Sequence, residues 1–359
     1  MNFYSCTRAD LALALQQANI PAIHSEALYK NAYRHGNITA PWSGPHSTSK
    51  DLETFFLSPS PAGSPWTFSL PEFEAPLEST EDHALKFGVR LADGYVVEAV
   101  LMPEKTRLTL CVSTQAGCRQ ACSFCHTGRM GFTRNLSTAE IIGQVLQAQQ
   151  WAAAHPEWLE RAGLPVTQRV TNLVCMGMGE PLDNLEALRG MLEILLDPFG
   201  LQLAPRKVTV STAGHLDGLR ELVSWNTGVQ IALSLHAVDP ALRRKIMPIE
   251  GRFPLEQVLA FFQEAIAAGT SKPPLVQYTM IAGVNDSLDI AHQLSALVHG
   301  LKPKVNLIPF NPFPGSAFKA PSRERLFAFQ DILKQAGIPT STRFSKGKDI
   351  RAACGQLHV

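Results

Sequence analysis

From Arg107 onward, short apolar runs alternate with longer amphipathic stretches along the chain. Six runs rich in Val, Ile and Leu predict buried strands, at residues 107–113, 169–176, 207–212, 229–235, 275–281 and 304–310. Residues 138–150 and 255–269 are examples of the helical stretches between them. Strands buried on both faces and connected by helices form parallel sheets. The pattern therefore predicts an α/β domain with helices outside a parallel sheet.

The size and the order of these units favour a barrel. Six strand–helix units in roughly 230 residues predict a partial, open (β/α)6 barrel of the TIM type. A doubly wound sheet is the competing interpretation. Candidate functional residues follow several successive strands, and in a barrel such residues meet at the carboxyl ends of the strands. This arrangement favours the barrel.

The chain before Arg107 has a different character. Residues 8–18 and 24–34 have helical apolar spacing, and a stretch rich in Pro, Gly and Ser covers residues 36–71. Two β-rich runs, 84–91 and 95–102, are joined at Asp93-Gly94, which predicts a hairpin. The predicted organisation is a helical accessory domain with its linker (1–70), a β-hairpin extension (71–106) and the barrel with a C-terminal segment (107–359).

Composition narrows the class of protein. Of the 359 residues, 45% are hydrophobic and 18% charged, which excludes a disordered chain. Thirty-two basic residues against 31 acidic ones give a net charge of +1, so a nucleic-acid surface must be a local patch. The amino terminus lacks the pattern of a signal peptide, and no apolar run is long enough to cross a membrane. We therefore expect a cytoplasmic protein with reduced thiols and no membrane attachment.

Three of the seven cysteines form a C-x3-C-x2-C motif just after the first predicted strand of the barrel, at Cys118, Cys122 and Cys125. Three thiolates in one loop can each bind one iron of a four-iron cluster and leave the fourth iron open for reaction. A zinc site completed by His126 is one alternative, although no second ligand pair is present. A loop that carries three cysteines by chance is the other.

The cysteine motif, with Phe124 before its last cysteine, resembles that of the radical S-adenosylmethionine (SAM) superfamily. Six further motifs in order resemble the RlmN/Cfr family of RNA adenine methyltransferases: residues 111–118, 131–136, 176–181, 234–237, 311–314 and 353–357. The resemblance extends from about Glu98 to Leu357. It implies a partial barrel with one [4Fe–4S] cluster on the three cysteines and two SAM molecules used per turnover. The implied SAM contacts are Gly179, Glu180, Ser211, Ser234, Leu235, His236 and Asn311.

The resemblance also implies three catalytic residues. Cys354 would carry the methyl group, Cys111 would resolve the protein–RNA adduct and leave a Cys111–Cys354 disulfide, and Glu98 would accept the ring proton. The residues by themselves leave simpler interpretations open. Cys111 could be a small buried hydrophobe in a strand. Glu98 shares a strand face with Val96 and Val100, where an acid departs from the pattern, and it could instead be a solvated hairpin acid.

RNA is the partner that the resemblance implies. The expected product is C2-methylated adenosine in 23S rRNA, with tRNA as a second substrate. The alternatives are C8 methylation, another RNA, a radical reaction on a protein or small molecule, and a non-catalytic iron–sulfur or zinc module. An electron donor such as flavodoxin is implied, and we expect a monomer.

Basic residues are candidates for a phosphate-binding rim: Arg243–Lys245, Arg323, Arg325, Arg343, Lys346, Lys348 and Arg351. The N-terminal helices, with Lys30 and Arg34, resemble the accessory RNA-binding domain of the family only loosely. Cys175 is predicted to pack within a strand, and Cys6 has no assigned role.

Overall fold

The computed structural model describes residues 1–43, 50–60 and 63–359. Its strands are β1 (Glu72–Phe73), β2 (Leu77–Glu78), β3 (Leu85–Arg90), β4 (Val96–Glu104), β5 (Arg107–Cys111), β6 (Gln115–Gly117), β7 (Phe132–Asn135), β8 (Asn172–Cys175), β9 (Val208–Thr212), β10 (Gln230–Ser234), β11 (Leu275–Met280), β12 (Lys304–Pro309) and β13 (Thr340–Thr342). Its α-helices are α1 (Arg8–Gln17), α2 (His24–Tyr29), α3 (Lys50–Leu57), α4 (His126–Arg129), α5 (Thr138–Ala154), α6 (Pro156–Arg161), α7 (Leu185–Leu196), α8 (Leu216–Ser224), α9 (Pro240–Ile246), α10 (Leu255–Ala267), α11 (Leu288–Val298) and α12 (Arg323–Gln335).

The main sheet has the strand order β1-β3-β4-β5-β8-β9-β10-β11-β12-β13, and β2 pairs with β3. Every neighbouring pair from β5 to β13 is parallel. The six predicted strands are all present as β5 and β8 to β12, and they are neighbours in chain order. A doubly wound sheet would reverse its order at a switch point, so the α/β barrel-type topology is confirmed. The sheet keeps two free ends and is an open barrel.

A seventh parallel strand, β13, was not predicted from the sequence. It has only three residues, all of them Ser or Thr, and therefore no apolar run that would mark a buried strand. It pairs with β12 through the register Val305 to Thr340 and Leu307 to Thr342. Strand β13 thus adds to the free end of the sheet and begins the C-terminal segment.

The predicted hairpin is confirmed and is part of the main sheet. Strands β3 and β4 pair antiparallel, and β4 then pairs antiparallel with β5. The register places Glu98 opposite Gly88 and Val100 opposite Cys111. The hairpin therefore brings Glu98 to the carboxyl-end side of the parallel strands.

The N-terminal helices pack around an aromatic core that includes Phe3, Tyr29 and Phe56. Helix α1 begins with a capping box between Thr7 and Asp10. The stretch 36–71, predicted as linker, contains helix α3, which was not predicted, and residues 44–49 and 61–62 of it lie outside the described residues. The division into three domains stays a prediction. None of the described helices is long and apolar enough to span a membrane.

Candidate active site

A cavity of about 290 Å³ lies against the concave side of the sheet. Its wall includes residues of β4 and β5 at one side, residues of β12 at the other, and the C-terminal residues 343–346 and 352–354. One cavity can contact both β5 and β12, which lie far apart in the strand order, only if the sheet curves around it. Cys111, at the end of β5, and Cys354, in the C-terminal segment, both line this cavity. The structure therefore brings together the two thiols that sequence analysis singled out as reactive.

The three cysteines of the motif lie in the loop between β6 and α4, which we call the cysteine loop (Cys118–Cys125). Its first residue donates a backbone hydrogen bond to Gly131 at 2.8 Å, and Ser123 donates one to Ile246 at 3.0 Å. Gly128 packs directly against the loop, because an added Cβ would lie 2.9 Å from the backbone N and O of Cys122. Backbone contacts thus fix the path of the loop independently of any ligand.

The three thiols of this loop lie near one another and are reduced. Burial raises the pKa of Cys122 well above its usual range, and the charges of Cys125 and Cys118 raise it further. Burial also raises the pKa of Cys118 to about 12. None of the seven cysteines forms a disulfide. Three free thiols in one loop form the donor set of an iron–sulfur cluster, so the loop fits such a cluster.

The zinc alternative has no support in the geometry. No group of three or more His, Cys, Asp or Glu side chains in the described residues converges closely enough to hold a metal ion. The His126 ring stacks on Phe313 at 4.7 Å and on His358 at 3.9 Å, and its Nδ1 has no partner. The ligands of one zinc ion must all point at the same atom. The cysteines of a cubane cluster each bind a different iron, so their sulfur atoms need not converge on one point.

The C-terminal segment returns to the mouth of the barrel. Asn311 Nδ2 donates to the carbonyl of Cys354 at 3.1 Å. His126, directly after the cysteine loop, donates its backbone N–H to Gly355 at 2.7 Å, and Thr127 Oγ1 donates to Leu357 at 2.7 Å. The start of α4, directly after the cysteine loop, is therefore hydrogen-bonded to the Cys354 segment.

Glu98 is buried at the same mouth with both carboxylate oxygens occupied. Oε1 lies 2.8 Å from Lys86 Nζ, and Oε2 accepts the backbone N–H of His358 at 2.8 Å. Sequence analysis named Glu98 but missed Lys86 and His358. A lysine inside the apolar strand β3 was the available signal for the first, whereas the contact to His358 spans 260 residues of sequence.

Gly179 and Glu180 follow β8, where the sequence placed them. Gly179 has φ +104°, and an added Cβ would lie 2.6 Å from the Gln115 side chain, so only glycine fits. The Glu180 carboxylate accepts backbone N–H groups from Leu182 at 3.2 Å and Ala213 at 2.8 Å. Burial raises its pKa to about 7 despite these hydrogen bonds. A cation beside this group would favour its ionised form.

The remaining implied cofactor contacts also lie at the carboxyl ends of parallel strands. They are Ser211 in β9, Ser234 at the end of β10, Leu235 and His236 after β10, and Asn311 after β12. His236 Nδ1 accepts the N–H of Thr279 at 2.8 Å, and its ring lies edge-on to Phe124 of the cysteine loop at 4.9 Å. Burial and Arg243 lower its pKa to about 3, so the ring is neutral. The buried Asn311 Oδ1 has no partner and is available to a ligand.

Arg243 does not belong to a phosphate-binding rim, contrary to the sequence interpretation. Its side chain is fully buried, and its guanidinium donates to Leu235 at 3.0 Å, to Ala213 at 2.7 Å and to Glu250 at 2.5 Å. It braces the carboxyl ends of β9 and β10. A run of basic residues in a sequence does not show that one of their side chains points into the protein interior.

Two cysteine expectations can be compared with the structure. Cys111 and Cys354 are free thiols, so the implied disulfide is absent. The Cys354 side chain is exposed and lines the cavity. The protein atoms around its thiol still raise the pKa, mainly by desolvation, and the charge of Arg343 opposes that rise. Cys175 is buried in β8, as predicted, and does not line the cavity.

Known proteins match this chain over most of its length. A family model described as the radical SAM superfamily matches residues 112–294. The chain is 43% identical over 286 residues to a dual-specificity RNA methyltransferase RlmN of Desulfotalea psychrophila, which covers 79% of this chain and 77% of that protein. It is 38% identical over 358 residues to a protein of the same name from Nitratiruptor sp., covering 96% and 94%.

A solved structure matches the whole fold. The crystal structure of a radical SAM methyltransferase from Sphaerobacter thermophilus has a TM-score of 0.86 and 36% sequence identity, covering 100% of this chain and 99% of that one. This match and the Nitratiruptor match both include the N-terminal region. These proteins therefore share the region of the N-terminal helices. The sequence alone showed only a loose resemblance of these helices to the accessory domain of the family.

Proposed function

Because the chain belongs to the radical SAM superfamily and, within it, to the RlmN family of RNA methyltransferases, we propose that it methylates C2 of an adenosine in RNA. The expected substrate is 23S rRNA, and tRNA is the second. One observation carries the proposal beyond family membership. The thiols of Cys111 and Cys354 line one cavity, and the start of α4, directly after the cysteine loop, is hydrogen-bonded to the Cys354 segment.

The residues of the barrel mouth fit the two cofactors of the superfamily. Cys118, Cys122 and Cys125 would hold a [4Fe–4S] cluster, and the carboxylate of Glu180 would accept the amino group of SAM. Ser211, Ser234, Leu235, His236, Asn311 and Gly179 would complete the SAM site. When bound, the cluster and SAM supply the one-electron chemistry that an electron-poor ring carbon requires. Two SAM molecules per turnover are proposed, since one methylates the protein and the other is consumed in activating that methyl group.

Cys354 is proposed as the methyl carrier. Its sulfur would be methylated to a thioether. The one-electron chemistry that the cluster and SAM supply would remove one hydrogen atom from the methyl group, whose carbon would then bond to the adenine ring as the adduct gives up one electron. Glu98 would take the proton of the ring carbon. The thiolate of Cys111 would attack the Cys354 sulfur, so that the carbon–sulfur bond breaks and a Cys111–Cys354 disulfide forms, to be reduced before the next turnover. Because Cys111 and Cys354 share a cavity wall, this attack needs no rearrangement of the sheet.

Two experiments test the proposal. Protein reconstituted anaerobically with iron, sulfide and SAM should carry a methyl group on Cys354 by peptide mass spectrometry, and Cys354→Ala should abolish RNA methylation. Cys175→Ala is the matched control, because Cys175 is buried in a neighbouring strand away from the cavity wall. Full RNA methylation by Cys354→Ala would contradict the role of Cys354. A product formed on a protein or small molecule, with no methylated RNA in wild type, would favour a radical reaction on another substrate.

The product itself distinguishes the position methylated. Nucleoside mass spectrometry of rRNA and tRNA from a deletion strain should show the loss of 2-methyladenosine. Loss of 8-methyladenosine would instead assign C8, and unchanged methyladenosines in both RNAs would contradict the assignment. We further propose that the enzyme acts as a monomer in the cytoplasm, with a flavodoxin-type protein as electron donor.

A further inference from the structure

Phe344 is a large aromatic side chain left half-exposed on the wall of the reaction cavity. It retains 49% of its surface and lines the cavity together with Cys354. A single exposed hydrophobic side chain is ordinary on a protein surface and by itself indicates nothing. Tyr95 and Phe327 are exposed to a similar extent, at 49% and 43%, but neither lines the cavity. The location of Phe344 is what sets it apart.

Cations surround this ring. Arg323 at the start of α12 lies 5.6 Å from the ring centroid of Phe344, and Lys348 lies 5.8 Å from it. Arg343 and Lys346, on either side of Phe344 in the chain, line the cavity themselves. We call residues 343–348 together with Arg323 the mouth patch.

The cations of the mouth patch form no close ion pair with an acidic side chain of the described residues. Among the ion pairs formed by the described residues, none involves Arg323, Arg343, Lys346 or Lys348. Arg134, by contrast, pairs with Glu140 at 2.8 Å. Unpaired positive charge around an exposed ring is complementary to a ligand that is both anionic and aromatic.

We propose that the mouth patch binds single-stranded RNA beside the target nucleotide, with Phe344 stacking on the base next to the methylated adenosine and the four cations contacting phosphates. This inference rests on the proposed function and adds the site of RNA recognition. Enzymes that modify a base take it out of its stack, and aromatic side chains then replace the lost stacking partner. Stacking on such a ring tolerates any base, so this site would contribute affinity rather than sequence choice.

The position of Cys354 explains why the neighbouring base is the one stacked. The target adenine must reach Cys354 inside the cavity, whereas Phe344 lies at its exposed edge. An acidic protein partner would also be attracted by the cations, but its carboxylates offer no flat ring to stack on the phenyl group, whereas a nucleotide offers both a base and a phosphate. The ring therefore favours RNA over an acidic protein.

The experiment measures binding of a fluorescein-labelled RNA stem-loop with an adenosine in its single-stranded loop, by anisotropy at several salt concentrations. Phe344→Ala should weaken binding by about 5- to 150-fold, the range for one base stacked on an aromatic ring, without changing the salt dependence. Phe344→Trp should restore affinity. Lys348→Gln should weaken binding and reduce the salt dependence by about one counterion. Phe327→Ala is the matched control and should bind as wild type.

A double-mutant cycle locates the stacked base. An RNA with an abasic nucleotide next to the adenosine should bind wild type as weakly as Phe344→Ala binds intact RNA, and combining the two changes should cost nothing more. Additive losses would overturn the proposal. A second pair of results would also overturn the proposal: Phe344→Ala keeps its RNA affinity, but an acidic flavoprotein reduces its cluster more slowly. These results would assign the mouth patch to the flavoprotein.

Two further readouts separate the possible failures. Thermal midpoint and iron content of Phe344→Ala should equal those of wild type; if they fall, and Phe344→Trp restores them without restoring RNA affinity, the ring is structural and the proposal is wrong. Wild-type protein that binds and methylates RNA while Phe344→Ala does both equally well would overturn this inference alone. Wild-type protein that neither binds nor methylates rRNA or tRNA would overturn the proposed function as well.

Discussion

The backbone N–H of His358, the second-last residue, donates a 2.8 Å hydrogen bond to a carboxylate oxygen of Glu98. The imidazole of the same residue stacks on His126, which directly follows the cysteine loop. One residue of the Cys354 segment thus contacts both the proposed base and the residue that follows the cysteine loop. In this arrangement the end of the chain lies against the carboxylate of Glu98 and takes up part of the space beside the proposed base.

Deleting His358 and Val359 should loosen the Cys354 segment, because both contacts to His358 are lost. The expected result is faster alkylation of Cys354 by iodoacetamide, followed by peptide mass spectrometry. Deleting Val359 alone is the control, since it leaves both contacts in place. Equal alkylation rates in the two truncated proteins would mean that His358 does not hold the segment.

Gly128→Ala should reduce iron binding without unfolding the protein. The added Cβ would lie 2.9 Å from the backbone of Cys122, so the cysteine loop has to shift. We expect fewer irons per protein after anaerobic reconstitution and a weaker charge-transfer absorbance. Gly251→Ala is the control, because its nearest neighbouring atom would be 3.8 Å away. Wild-type iron content in Gly128→Ala would show that the loop tolerates the shift.

Binding of SAM should weaken as the pH falls below about 7. Burial raises the pKa of Glu180 to about 7, so the ligand-free carboxyl is protonated below that pH and must lose its proton to pair with the amino group of SAM. Affinity should fall by about tenfold per pH unit below 7 and level off above it. Equilibrium dialysis with reconstituted protein measures this.

Glu180→Gln serves as the control for that pH profile. It should bind SAM weakly with no change between pH 5.5 and 7, roughly the interval in which the wild-type carboxyl titrates. His236 cannot produce the profile, because its pKa is lowered to about 3. A wild-type profile that persists in Glu180→Gln would assign the titration to another group.

Arg243→Met should destabilise the protein by about 3–5 kcal/mol, since it leaves the buried Glu250 charge without its partner. The double variant Arg243→Met with Glu250→Leu should recover most of this loss, because both charges are removed together. Arg189→Met is the matched control for an exposed pair with Glu193 and should cost under about 1 kcal/mol. Urea unfolding measures all three, and equal losses in the single and double variants would contradict this account of Arg243.

Local patterns were enough to predict the parallel strands, the hairpin and the cysteine loop. Apolar runs mark buried strands, and Asp93-Gly94 marks a tight turn, so neighbours in sequence carry the information. Strand β13 was missed because its three residues are polar and gain their partner from β12. The burial of Arg243 was missed because it depends on carbonyls of Ala213 and Leu235, which the fold brings together.

In the candidate site too, local patterns identified some residues, whereas other contacts exist only because of the fold. The thiols could be named from motifs, but the contact of Lys86 with Glu98 and the stacking of His358 on His126 join residues from distant parts of the chain. No periodic pattern of neighbouring residues in the sequence encodes such contacts. Phe344 was also passed over, because its significance comes from the cavity wall and not from its neighbours in sequence.

The proposed reactive residues Glu98, Cys111 and Cys354 all lie outside residues 112–294, the span that the superfamily model matches. The cysteine loop, Glu180 and His236 lie inside it. Strand β4 and the segment after β13 bring the flanking residues to the cavity from the two sides of the parallel strands. The proposed cluster ligands and six of the proposed SAM contacts therefore lie in the matched span, whereas the flanking segments supply the proposed reactive residues together with Asn311, which also hydrogen-bonds Cys354.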